Sequence, residues 1–349
     1  ATPTTATPTT QSVQTTAATT PQTIRPAATG GPSPGVNFEE WNVPDGVRGR
    51  ALDLLASSGM EWLRVDVGWR SFELECDNCY SDWYINRIDT LIADAKARGL
   101  DVMFTVGETP SWANSGDKLA PPADPAKYGE FMTWLANRYR GRVIGYEIWN
   151  EPDLEKFFHG DVGDYVELLQ AAYRGVKAGD PNGTVVFGGP SHQNVPFISA
   201  AYDAGAGGYF DVMATHPYQG GSDKPPDHPT DGNIWWMTEQ PTITELMRRH
   251  GDGHKEVWWT EFAWSVGPNN EGLPSYRRGV TEQQQGQYLV EALQLAADRY
   301  PNVTRAAWYN GLERVDAGAD SWTRGYALIR RDMTPRPALE ALRRYTQGG

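Results

Sequence analysis

The chain has 349 residues and carries 31 Lys and Arg against 44 Asp and Glu, a formal charge of −13. That balance argues against nucleic acid and against an anionic membrane surface as partners, because both need clustered cations. No stretch approaches the roughly 18 uninterrupted apolar residues of a membrane-spanning helix, and two cysteines are too few for a disulfide-stapled miniature fold or a four-cysteine zinc site.

Residues 1–34 differ from the rest. Thr supplies 12 of them, Ala 6 and Pro 6, with one charge, Arg25, and no aromatic residue. Such a segment buries too little apolar surface to offset its ordering entropy. It reads as a disordered Thr/Ala/Pro-rich linker or stalk, ahead of a single domain over 35–349. Stalks of this composition are common outside the cell, so a secreted or cell-surface location is expected.

From residue 35 onward, apolar runs alternate with helical patterns. Gly35–Phe38 and Trp62–Val67 read as strands. Then Ile85, Ile88, Leu91, Ile92 and Ala95 fall on one stripe that stops at Gly99. After the strand Val102–Val106 come Tyr128, Phe131, Met132, Leu135 and Tyr139, stopping at Gly141. After Val143–Trp149 come Tyr165, Val166, Leu169, Ala172, Tyr173 and Val176, stopping at Gly179. Val185–Gly188, Val212–Thr215 and Val257–Thr260 follow, Thr281 and Gln284 are spaced as a capping box, and Arg305–Tyr309 closes the series. Spacings of three and four put apolar side chains on one helical face, and a terminal glycine tolerates the left-handed cap.

Strands alternating with helices imply a parallel sheet with crossover connections. Eight such units suit a closed (β/α)8 TIM barrel. An open doubly wound sheet is the alternative, but the first strand leads into Asn37-Phe38-Glu39-Glu40-Trp41, without a Gly-rich phosphate turn. The functional residues are therefore expected where the strands end.

Two strand ends carry a glutamate among aromatic residues. The fourth runs Glu147-Ile148-Trp149-Asn150-Glu151-Pro152-Asp153, and the seventh Trp258-Trp259-Thr260-Glu261-Phe262-Ala263-Trp264-Ser265. Partial desolvation disfavours the charged form of a carboxyl, which suits a general acid. A second carboxylate across the mouth suits a nucleophile or base, and two such groups flanking a sugar bond can hydrolyse it. Either glutamate alone also fits a solvated surface group.

Ile148-Trp149-Asn150-Glu151-Pro152 resembles the strand-four signature of the clan A retaining glycoside hydrolases, and Thr260-Glu261-Phe262-Ala263-Trp264 resembles their strand-seven nucleophile segment. With Asp153, Leu63-Arg64-Val65-Asp66-Val67-Gly68-Trp69 and His216-Pro217-Tyr218, the chain is most similar to family 39 over roughly residues 35–345. The resemblance implies Glu151 as acid/base and Glu261 as nucleophile, with no metal and no organic cofactor. It implies that Asn150 binds the sugar 2-hydroxyl and that Arg64 lies beside the nucleophile. His216 and Tyr218 would position nucleophile and sugar, and Trp308 would form the floor under the reacting ring. Arg64 also fits an ion pair with Asp66, and Trp308 also fits barrel core.

Among the 14 tryptophans, Trp41, Trp69, Trp112 and Trp264 follow strands and are candidate stacking platforms for sugar rings. Trp235, Trp236 and Trp322 sit similarly, whereas Trp134 and Trp258 read as core. Cys76 and Cys79 read best as a local disulfide bracing a loop. His250 and His254 flank helix-breaking glycines and make a poor metal pair. Glu108, Glu239, Glu271 and Glu313 fit a sugar-binding rim or solvated loop charges. The expectation is a monomeric, endo-acting hydrolase of a poly- or oligosaccharide. The family's longer members carry an accessory β-sandwich for which little chain remains here, which favours the shorter endo-acting members. The alternatives are an exo-acting enzyme such as a β-xylosidase, a non-catalytic carbohydrate-binding barrel, and a stalked adhesin.

Overall fold

Parallel strands alternate with helices throughout the computed structural model, which describes residues 30–39, 43, 45–232, 236–314 and 321–348. The strands are β1 (Ser33–Asn37), β2 (Trp62–Gly68), β3 (Asp101–Gly107), β4 (Gly145–Ile148), β5 (Val185–Phe187), β6 (Met213–Thr215), β7 (Val257–Phe262) and β8 (Val303–Trp308). They form one eight-stranded sheet in the order β5-β4-β3-β2-β1-β8-β7-β6. A parallel bridge between Val186 and Val212 joins its two ends. The result is a nearly closed (β/α)8 barrel, as the alternating runs predict.

The helices are α1 (Asp45–Ser57), α2 (Trp69–Phe72), α3 (Asp82–Lys96), α4 (Pro125–Arg138), α5 (Val162–Gly179), α6 (Val195–Asp203), α7 (Gln240–Arg249), α8 (Glu282–Arg299), α9 (Ser321–Gly325) and α10 (Pro337–Gln347). Thr281 and Gln284 do form a reciprocal capping box at the start of α8. No helix among the described residues is long and apolar enough to cross a membrane.

Two details differ from the sequence reading. The first strand begins at Ser33, so Ser33 and Pro34 belong to the barrel and not to the linker. Gly179 is the last residue of α5, and its cap, Asp180, is extended. What requires glycine there is close packing on α4: a Cβ would stand 2.3 Å from the carbonyl oxygen of Thr133. By contrast, Gly99 and Gly141 have the left-handed φ expected of terminators, 75° and 66°.

Alternation along the strands sorts the side chains into layers. Val65, Val67, Phe104, Val106, Tyr146 and Ile148 are buried in the main core. Trp62, Met103, Val186, Ala214, Trp258 and Ala307 form a second, separate apolar cluster. The outer set packs beneath the helices and the inner set fills the barrel floor. Above that floor the inward positions turn polar, and the candidate site begins there.

Candidate active site

The inward residues of β1, β2, β3, β4 and β7 meet in one buried network. Arg64 is at its centre. Its Nε donates to Glu147 Oε2 at 2.6 Å, one Nη donates to Asn37 Oδ1 at 2.8 Å and Glu261 Oε1 at 2.7 Å, and the other donates to Asn150 Oδ1 at 2.7 Å. Glu147 also accepts from the hydroxyls of Thr105 and Thr260, each at 2.7 Å, and from the Gly189 amide at 3.2 Å. Burial alone would raise the Glu147 carboxyl, but Arg64, His216 and the hydroxyl donors hold it below the usual carboxylate range.

Sequence reasoning left Glu147 without a role. Its signal was the alternation Tyr146-Glu147-Ile148, which turns the acid inward between two outward apolar residues. An acid inside a barrel needs a partner.

Glu261 reaches the mouth through an irregularity. The pairing of β7 with β8 shifts register between Trp259 and Phe262. Consecutive residues Thr260 and Glu261 can then both turn to the interior, as a bulge permits. Arg64 holds one Glu261 oxygen, and the Tyr218 hydroxyl donates to the other at 2.8 Å.

Glu151 lies past the end of β4 with φ 41°, after Trp149 with φ 71°. Left-handed backbone at non-glycine residues is costly and accumulates where a side chain must be aimed. Asp153 ties this turn to the loop after β5, accepting from the Ser191 amide at 2.9 Å and the Asn194 side chain at 2.7 Å. His216 Nδ1 lies 3.0 Å from Glu151 Oε1 and 3.9 Å from Glu261 Oε2. Burial raises the Glu151 carboxyl above its ordinary value, the His216 hydrogen bond opposes this, and the Glu261 charge adds to it. His216 is itself raised: burial lowers it, and the two glutamates more than compensate.

Oxygens of Glu151 and Glu261 and a nitrogen of His216 all lie within 4.8 Å of one another. Three such groups resemble a metal site by type. Here Arg64 and Tyr218 already occupy the Glu261 oxygens, and a guanidinium at 2.7 Å opposes a second cation there.

The structure brings Arg64, Asn150, Glu151, His216, Tyr218 and Glu261 together. The Arg64–Asp66 pair considered from the sequence is a longer contact of 3.9 Å. Trp308 is buried, 1% exposed, with its N–H on the Tyr326 carbonyl and its ring against Phe262. That is a packed position, and its carbonyl accepts from Asn37 at 3.4 Å.

Two tryptophan assignments are corrected. Trp69 is 0% exposed, bonded to Glu73 and stacked on Phe131. Trp264 is 1% exposed, bonded to the Lys224 carbonyl and packed on Tyr288. Both serve the core, not a sugar. Trp112 is half-buried, with its N–H on the Glu73 carbonyl. Trp41 and Trp235 lie outside the described residues. Trp83, which the sequence did not single out, is 71% exposed on the first turn of α3.

Cys76 and Cys79 are joined in a disulfide after α2. His250 stacks on Tyr202, and His254 contacts the Gly251 carbonyl. Glu108 pairs with Lys118 and Glu313 with Arg336.

The family model described as cellulase (glycosyl hydrolase family 5) matches residues 26–310. The family 39 resemblance is thus met by a family 5 match, both within clan A. A family 39 glycoside hydrolase from Bacteroides cellulosilyticus WH2 superimposes with a TM-score of 0.74 at 20% identity, covering 92% of this chain and 65% of that one. A monomeric β-xylosidase from Caulobacter crescentus CB15 gives 0.67 at 17%, covering 92% and 69%. An exo-β-1,4-mannosidase from Opitutaceae bacterium strain TAV5 gives 0.66 at 15%, covering 91% and 59%. At these identities the likeness speaks for the fold, and the chain spans about two thirds of the length of these structures. No curated protein matches the sequence.

Proposed function

The chain belongs to the cellulase family, glycosyl hydrolase family 5, and from that premise we propose that it hydrolyses glycosidic bonds of a poly- or oligosaccharide with retention. The observation that carries this reading is the facing of Glu151 and Glu261 across His216, with their oxygens within 4.8 Å. Retaining enzymes hold their two carboxyls about 5–5.5 Å apart, whereas inverting ones leave room for a water.

Glu151, raised by burial, holds the proton that the leaving oxygen needs. Glu261, oriented through both oxygens by Arg64 and Tyr218, attacks the anomeric carbon. Glu151 then takes a proton from the water that releases the sugar. Arg64 fixes the Asn150 amide by its oxygen, leaving the amide NH2 branch for a sugar hydroxyl. No step calls for a metal or an organic cofactor.

Within clan A we place the chain beside family 39, on its strand-two and strand-six motifs and the Bacteroides neighbour. We propose internal cutting. Trp83 and Trp112 lie on separate segments at the end of the barrel where the strands finish, one exposed and one half-buried, which suits a cleft more than a closed pocket. Exo-action is the second reading, favoured by the β-xylosidase and exo-mannosidase among the structural neighbours. A location outside the cell fits the Cys76–Cys79 disulfide and the Thr/Pro-rich tail, and a monomer has a counterpart in the monomeric Caulobacter β-xylosidase.

The test is incubation with plant and microbial polysaccharides, with product sizing at early times. Turnover that disappears in Glu261→Ala supports hydrolysis. Binding without release of any fragment across the whole panel would favour the non-catalytic barrel.

A further inference from the structure

Resting on the hydrolase reading, we infer that Asp66 is a specificity-determining residue that accepts a hydroxyl of the sugar being attacked and bars a carboxylate from that position. The mechanism above gives Asp66 no task. It follows Arg64 by two on β2, so it faces the barrel interior from one layer nearer the mouth.

Its surroundings single it out. The Arg64 and Glu147 side chains beneath it are 1% and 0% exposed, whereas the Asp66 side chain is 53% exposed. A carboxylate facing into a barrel yet half open to solvent borders the space that a ligand fills. The same guanidinium nitrogen of Arg64 lies 2.7 Å from Glu261 Oε1 and 3.9 Å from Asp66 Oδ1. Asp66 and Glu261 therefore flank one nitrogen. A sugar whose anomeric carbon sits at Glu261 has another ring hydroxyl within reach of Asp66.

The charge balance sets the selectivity. Asp66, Glu147 and Glu261 surround a single buried guanidinium, and Glu151 lies beside Glu261 across His216. A neutral sugar donates hydroxyl protons to such a field, in hydrogen bonds strengthened by the acceptor's charge. A uronate presents like charge to it at short range, where repulsion is strong. Among these acids Asp66 is the most open, so it can meet the ligand without disturbing the attacking and proton-donating pair.

The experiment uses the neutral polysaccharide of the panel that the wild type cuts best, and the same glycan with its primary alcohols oxidised to carboxylates. Wild type, Asp66→Asn and Asp66→Ser are compared at pH 7. The readout is the ratio of kcat/KM for the two glycans, or the inhibition constant of the oxidised form where it is not cut. Thermal melting checks the fold of each variant. We expect kcat/KM on the neutral glycan to fall about 10- to 100-fold, mostly through KM, and the neutral-to-oxidised preference to narrow at least tenfold. A purely structural role would lower both glycans equally and leave the ratio unchanged. That result, or unchanged kinetics, would overturn the inference while the hydrolase reading stands. Failure of the wild type to cut any glycan would overturn both.

Discussion

Arg64 and Glu147 form an ion pair at 2.6 Å with side chains 1% and 0% exposed, directly beneath the candidate nucleophile. Each charge makes the burial of the other tolerable, and the hydroxyls of Thr105 and Thr260 satisfy the remaining lone pairs. Arg64→Ala should therefore lose about 3–5 kcal/mol in urea unfolding, because it strands a buried carboxylate. Glu261→Ala, which removes a carboxylate from the same guanidinium, should lose much less. Equal losses would show that the Arg64–Glu147 pair is not the structural member of the network.

The same pair gives a pH dependence. The Glu147 carboxyl is depressed in the folded protein, so its stabilisation is present in full above the unfolded carboxylate value of about 4.3. It is lost as pH falls through the folded value. Stability of the wild type measured from pH 7 down to 3 should drop more steeply at the acid end than that of Glu147→Gln. Parallel curves would contradict the assignment.

Glu151 titrates in the opposite sense. Its raised carboxyl keeps its proton to higher pH than an ordinary glutamate, and activity should fall on the alkaline side as that proton is lost. Glu151→Gln should flatten this limb and slow poor leaving groups most. His216→Phe removes the hydrogen bond that pulls the carboxyl down, so its alkaline limb should move upward. A pH–rate profile of the three proteins is the check, and an unmoved limb in His216→Phe would dissociate His216 from Glu151.

The barrel itself was readable because eight apolar runs, separated by helical periodicities, leave few architectures open. Side-chain direction at the strand ends was not. Trp69 and Trp264 both follow strands, but Trp69 opens α2 and turns back onto Phe131, and Trp264 turns onto Tyr288. Sequence position after a strand does not decide between mouth and helix layer. Glu261 shows the same limit from the other side, since simple alternation would have sent it outward if Thr260 faced in. The β7 irregularity that turns it inward has no glycine or proline to announce it.

The start of β1 makes a truncation prediction. Ser33 and Pro34 pair with Arg305 and Ala306, and the Ser33 hydroxyl donates to Glu61 at 2.7 Å. Deleting residues 1–29, which include no aromatic residue, should leave the melting temperature and rate nearly unchanged. Deleting 1–34 should lower the melting temperature by several degrees, because it cuts into a barrel strand. Differential scanning of the two truncations separates these outcomes.

Cutting mode can be read from product length. Trp83→Ala and Trp112→Ala should weaken long oligosaccharides more than short ones, by about 1–2 kcal/mol for a stacking face removed from water. Early products should be mixed oligomers. Monosaccharide as the sole early product, with both variants unaffected, would establish exo-action and leave the catalytic glutamates in place.

The central claim is that Glu261 forms a covalent bond to the sugar while Glu151 shuttles the proton. The most direct measurement is the anomeric configuration of the first product, followed by proton NMR in the first minutes of cleavage before mutarotation. Double displacement predicts that the new reducing end keeps the configuration of the bond that was cut, and that Glu261→Ala with added azide yields the inverted glycosyl azide. An inverted first product from the wild type would contradict the account, because water and not Glu261 would then be the attacking group.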